Sequence, residues 1–206
     1  WTGEGAARRT RRAARRRGPL RGLTGSRHRE VAPALVLDDG RLELTLEADL
    51  ADPLLVLRCA VVAARHDAYL QRGSLERLAD HSRPLSIPWS AEARDLFVEL
   101  LACGPAAVPV IEDLDHVGLF VLLVPEWEPC RSRPQRNAYH RFTVDRHLME
   151  TAAEASRLVD RVDRPDLLLV GALLHDIGKG YPGDHTEVGV DLMRTIGSRM
   201  GFSGAD

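Results

Sequence analysis

The sequence predicts a mainly α protein, in which a helical linking domain with a small β-hairpin is followed by a partial helical domain of a second kind. Three observations carry this. Apolar residues recur at helical spacing, with capping residues at the segment starts, from Asp52 to the C-terminal end. One strand–turn–strand signal, centred on Asp39-Gly40, stands apart from them. A polar stretch broken by Pro129 and Pro134 divides the helices into two groups. With 206 residues and 44% apolar content, the chain can bury a core.

Residues 1–30 hold ten arginines and two glutamates with no sustained apolar period, and are expected to be a disordered basic arm. Residues 31–128 form the linking region. It opens with "ALVLDDGRLELT", whose apolar runs predict strands near 34–37 and 41–45. Asp52 as N-cap with Pro53 in the first turn predicts a helix through "LLVLRCAVVAARH". A short helix is expected from Ser74, and a longer one from Ser90 as N-cap to Gly104. One or two more follow before Pro125. Residues 129–142 read as a linker. Residues 143–206 resume the helical period in three segments: Thr143 to Val162, Pro165 onward through "DLLLVGALLHD", and a last helix beginning near Asp184. Trp89 and Trp127 are read as core or gap-filling residues, and His66, His81 and His116 as isolated surface or satisfied histidines.

Composition narrows the function classes. No apolar run reaches the length of a membrane span, and the arginine-rich start lacks the apolar stretch of a signal peptide. Cys59, Cys103 and Cys130 are widely spaced without a Cys-x-x-Cys pattern, which points to a reducing cytoplasm and away from a zinc-thiolate site. After residue 30 the remaining 176 residues carry 18 basic and 28 acidic groups. A basic arm on an acidic body could bind nucleic acid. Arginine outnumbers lysine 27 to 1, however, so a GC-rich codon bias explains the arm better, and no nucleic-acid partner is expected.

The chemistry concentrates in "VGALLHDIGKG" and its surroundings. His147 falls in the first turn of one helix, His175 and Asp176 in the last turn of the next, and Asp184-His185 at the start of the third. Short connections place neighbouring helices antiparallel, so the end of the second meets the start of the third. How the start of the first joins them stays open. Imidazole and carboxylate without cysteine suit a borderline or hard divalent ion such as Mn²⁺, Fe²⁺, Zn²⁺ or Mg²⁺. Adjacent helical residues point about 100° apart, so Asp176 must swing across where the helix loosens. Lys179, the only lysine, is a compact charge suited to a phosphate oxygen. Gly178, Gly180 and Gly183 are read as letting the backbone turn tightly around a ligand.

These motifs resemble the HD superfamily of metal-dependent phosphohydrolases. More narrowly, "PEWEPCRSRPQRNAYHRFTVD" followed by "DLLLVGALLHDIGKGYPGDHTEVG" resembles the bifunctional protein-PII uridylyltransferase/uridylyl-removing enzymes. The resemblance covers nearly everything after residue 30, and identifies 31–128 with the segment before the family's HD domain. It implies hydrolytic removal of UMP, or AMP, from a tyrosine of a nucleotidylated PII nitrogen-signalling protein in the cytoplasm. It implies His147, His175, Asp176 and His185 as ligands to Mn²⁺ or Mg²⁺, Lys179 on the phosphate, and Asp184 orienting His185. The family's nucleotidyltransferase and ACT domains, and the later HD helices with further ligands, are expected to lie outside these 206 residues. The alternatives are an HD phosphohydrolase acting on free nucleotides and an inactive fragment.

Overall fold

The computed structural model describes residues 28–134 and 142–204. Most of the basic arm and the middle of the expected linker lie outside the described residues. The structure is mainly helical with one small sheet, as the sequence predicts.

The sheet has the order β1 (Arg29–Ala32), β2 (Leu35–Asp38), β3 (Arg41–Leu44) and β4 (Tyr69–Leu70). β2 and β3 are the expected hairpin. Its turn residues Asp39 and Gly40 have φ of 46° and 76°, the two successive positive values that this Asp-Gly pair favours. Leu42 and Leu44 face inward while Arg41 is exposed, so the hairpin buries one face. Two strands were not expected. β1 begins at Arg29, inside the segment read as a disordered arm, and pairs antiparallel with β2. β4 pairs parallel with β3 after a helical crossover.

That crossover is α1 (Leu55–Arg65). It starts two residues later than expected, because the Asp52 side chain accepts from Leu54 N (2.9 Å) and holds a turn before the helix. Conversely, α2 (Arg72–His81) starts before Ser74, because the Gln71 side chain serves as its cap. Ser74 is buried, and its Oγ accepts from Leu44 N at 2.9 Å, tying α2 to the sheet. α3 (Ala91–Ala102) is capped by Ser90 as expected. α4 (Ala107–His116) and α5 (Leu119–Leu123) follow, and a 3₁₀ turn over Pro125–Cys130 closes the region. Trp89, Phe97, Phe120 and Trp127 meet in sequence in its core, with successive ring centroids 5.5, 6.3 and 5.0 Å apart, the first and last contacts edge to face.

The second helical group holds α6 (Val144–Ala155), α7 (Pro165–Leu174) and α8 (His185–Arg199). The first was expected to run to Val162. Instead it tightens into a 3₁₀ segment over Ser156–Arg161 that buries no residue, so nothing there rewards a longer helix. The two groups share one hydrophobic core running from Leu35 to Met200. Pro129 and Cys130, read as the first residues of the linker, lie in the 3₁₀ turn that closes the first group, and Cys130 is fully buried.

α8 is fastened to the linking region at its far end. Arg199 donates to both oxygens of Glu126 at 2.6 and 2.5 Å, with the side chains 14% and 13% exposed. Arg199 O accepts from Trp89 N at 2.8 Å, and Arg94 donates to Gly201 O at 2.8 Å. Burial works against the Glu126 charge, but the Arg199 hydrogen bonds, a backbone donor and the guanidinium charge hold its pKa below the ordinary 4.5. A depressed carboxylate contributes stability above its unfolded pKa and loses it as pH falls through the lower folded value. Arg199→Met is therefore expected to cost about 2–4 kcal/mol at neutral pH, near the penalty for orphaning one partner of a buried pair. Urea titrations below pH 4.5 should show the variant and wild type converging.

Candidate metal centre

His147 sits one turn into α6, with its N–H on Thr143 O at 2.9 Å. Because α6 stops at Ala155, it is nearly as long as α7, at twelve residues against ten. The two form a helical hairpin whose open end sets the His147 and His175 rings 5.1 Å apart, edge to face. This settles how the first helix reaches the site.

α7 ends at Leu174, one residue before the pair expected in its last turn. His175 is the C-cap, still helical, whereas Asp176 has φ −114° and ψ 14°. The chain thus leaves the helix between the two residues. The 100° divergence of adjacent helical side chains no longer applies, and the Asp176 carboxylate turns toward the His175 ring.

Three donor atoms converge. His147 Nε2 and His175 Nε2 are 3.3 Å apart, and Asp176 Oδ2 lies 3.5 Å from the first and 3.3 Å from the second. Ligands held ~2.0–2.2 Å from one ion are separated by about 3.0–3.5 Å in tetrahedral or octahedral geometry. The triangle therefore fits a divalent ion in both donor type and spacing. Among the described residues, no other group of His, Cys, Asp and Glu side chains meets that condition. His175 is also oriented for the task. Its Nδ1 is 2.8 Å from Ala172 O; a carbonyl only accepts, so the proton is on Nδ1 and the Nε2 lone pair faces the other donors. Lys179 Nζ sits 2.6 Å from Asp176 Oδ2. Burial alone would raise the Asp176 pKa, but the Lys179 hydrogen bond and the electrostatic influence of the neighbouring His175, Lys179 and His147 bring it below the usual carboxylate value.

Two expected site residues stand apart. His185 is exposed at the first position of α8 and is not a member of the converging group. Asp184 is the N-cap of α8, its Oδ1 accepting from Thr186 N at 2.8 Å and Glu187 N at 3.2 Å. The glycines also differ from expectation. A Cβ on Gly178 would lie 2.0 Å from His185 O, and one on Gly180 would lie 2.8 Å from Cys130 Sγ. Both permit close packing against protein rather than around a ligand.

The sequence reading missed the residues that hold this turn. Cys130 Sγ donates to Ile177 O (3.4 Å), Arg133 donates to Gly180 O (2.5 Å), and Tyr181 OH donates to Glu126 O (3.2 Å). Burial pushes the Cys130 thiol up to about 11, which keeps it protonated as a donor. These residues looked like the end of a helix and a polar linker. The proline spacing in "EPCRSRP" was their only local signal.

Residues 144–205 match the HD domain family. The chain is 48% identical over 196 residues to the bifunctional uridylyltransferase/uridylyl-removing enzyme of Streptomyces coelicolor, a match spanning 91% of this chain and 24% of that enzyme. It is 45% identical over 177 residues to the enzyme of the same name from Mycobacterium tuberculosis (82% and 22%). It is 37% identical over 165 residues to that of Corynebacterium glutamicum (80% and 24%). Most of the chain is therefore similar to one part of the bifunctional uridylyltransferase/uridylyl-removing enzymes, and its last third matches the HD domain family. It spans about a quarter of the length of these curated relatives. The HD match begins at Val144, the first residue of α6, and takes in all the converging donors. Glu126, Cys130 and Arg133 precede it. The turn that carries the donors is therefore held by residues outside the HD match.

Gly178→Ala forces a Cβ into the backbone of α8 and is expected to cost about 2–3 kcal/mol, the upper range for overpacking. Gly171→Ala, in open space on α7, should instead be neutral or stabilise by up to ~1 kcal/mol. Urea midpoints of the two variants check this contrast.

Proposed function

We propose that this chain carries the nucleotidyl-removing centre of such an enzyme, which hydrolyses the phosphodiester joining UMP, or AMP, to a tyrosine of a PII-type signalling protein in the cytoplasm. The observation that carries the reading is the convergence of His147 Nε2, His175 Nε2 and Asp176 Oδ2 in a chain related over most of its length to enzymes named as uridylyl-removing. His147, His175 and Asp176 would hold the divalent ion, Mn²⁺ or Mg²⁺. When bound, such an ion activates a water and neutralises phosphoryl charge.

The side chains supply the rest. The Ala172 carbonyl holds the His175 ring in one tautomer and one orientation. The ionised Asp176, its side chain 17% exposed, brings negative charge beside both histidine rings. Lys179 lies within reach of a phosphoryl oxygen beside that carboxylate, and its ammonium suits a point contact. A tyrosine phenolate, with a pKa near 10, is a moderate leaving group, so the reaction does not demand a strong general acid. His185 stays outside the three-donor reading, and Asp184 serves the helix start.

The test is release of UMP from a uridylylated PII protein by the 206-residue chain with Mn²⁺, followed by chromatography. Release should depend on the metal. Asp176→Asn should reduce it by more than the ~10–100-fold that follows loss of an outer hydrogen-bond partner at metal sites. Release from free nucleotides but not from the protein would shift the substrate class. The absence of metal-dependent release from either would contradict the reading.

A further inference from the structure

One oxygen does two jobs in this site. Asp176 Oδ2 is the vertex of the donor triangle, and it is also the atom that receives Lys179 Nζ at 2.6 Å, its shortest contact there. An ammonium and a divalent ion cannot both sit on one half-buried carboxylate oxygen without strong repulsion, because the site's dielectric is well below that of water. One of them has to leave. The ammonium is the mobile one. The backbone of Lys179 belongs to the clamped turn, but its side chain is 26% exposed and its four-carbon stem can swing toward solvent. The histidines are fixed on helices and Asp176 on the clamped turn.

Resting on the metal reading above, we propose that Lys179 is a built-in counter-ion. Its ammonium occupies Asp176 Oδ2 in the metal-free chain and moves off that oxygen when the ion enters. The exchange explains two things. The carboxylate stays ionised and aimed at both histidines before any metal arrives, so the donor triangle is preorganised rather than splayed. The ammonium is then released at the rim of the site at the moment the ion is seated, so that metal loading and presentation of a positive charge to a phosphate are one event. The choice of lysine fits as well. This chain uses arginine at 27 of its 28 basic positions, and at this one an arginine fork would grip the carboxylate at two points and resist leaving.

The test is calorimetric titration of Mn²⁺ into the 206-residue chain and its Lys179→Met and Lys179→Arg variants, with circular dichroism to verify folding. Removing the competing charge in Lys179→Met should tighten Mn²⁺ binding about three- to tenfold. Lys179→Arg, which keeps the charge, should bind no more tightly than wild type. Equal or weaker binding by Lys179→Met, with wild type still binding, would overturn the exchange and leave the metal reading standing. Tightening in both variants would also overturn it, because the charge would then be irrelevant. Failure of all three proteins to bind would overturn the exchange and the metal reading together.

Discussion

The turn from Asp176 to Tyr181 has to fit between the first residues of α8 and the segment from Glu126 to Arg133, and the site depends on that confinement. Gly178 meets the backbone of α8 with no room for a side chain, and Gly180 does the same against Cys130. Three hydrogen bonds from or to the 126–133 segment fix the turn's carbonyls and its closing tyrosine. Such crowding allows essentially one backbone path. That path takes the chain out of helix between His175 and Asp176, and this places an imidazole and a carboxylate from adjacent positions on a common point.

The confinement also explains why the linking region and the HD segment are one folded body. The segment that holds the turn lies before the HD match. The far end of α8 is anchored by Arg199 to Glu126, so the same short stretch grips both the turn and the helix that packs on it. A mostly buried ion pair is weak evidence for net stability. Its effect here is positional, since Glu126 meets Arg199 through its carboxylate and Tyr181 through its carbonyl.

Much of this was legible in the sequence where a local rule applied. Asp39-Gly40 announced its hairpin, Ser90 its cap and Pro165 the first turn of α7, because each acts on its immediate neighbours. The identities of His147, His175 and Asp176 were legible as a metal-compatible set from residue type and spacing. What escaped was non-local. β4 is two residues long and exists because α1 carries the chain back beside β3. The end of α6 at Ala155 follows from a lack of burial beyond it, and that early end lets His147 face His175. Glycines near a helix end look alike whether they face a ligand or a neighbouring backbone. Only the packed structure separates the two cases, and here it assigns Gly178 and Gly180 to packing. Cys130 and Arg133 sat in a stretch whose prolines and charges resembled a linker, because their partners are 47 residues away.

The central claim is that the triangle of His147, His175 and Asp176 is a metal centre, and X-ray diffraction from crystals grown with Mn²⁺ tests it most directly. An anomalous difference map collected above the manganese absorption edge should show a peak about 2.0–2.3 Å from His147 Nε2, His175 Nε2 and Asp176 Oδ2. A map with no peak at that point, from crystals whose other sites carry manganese, would contradict the account.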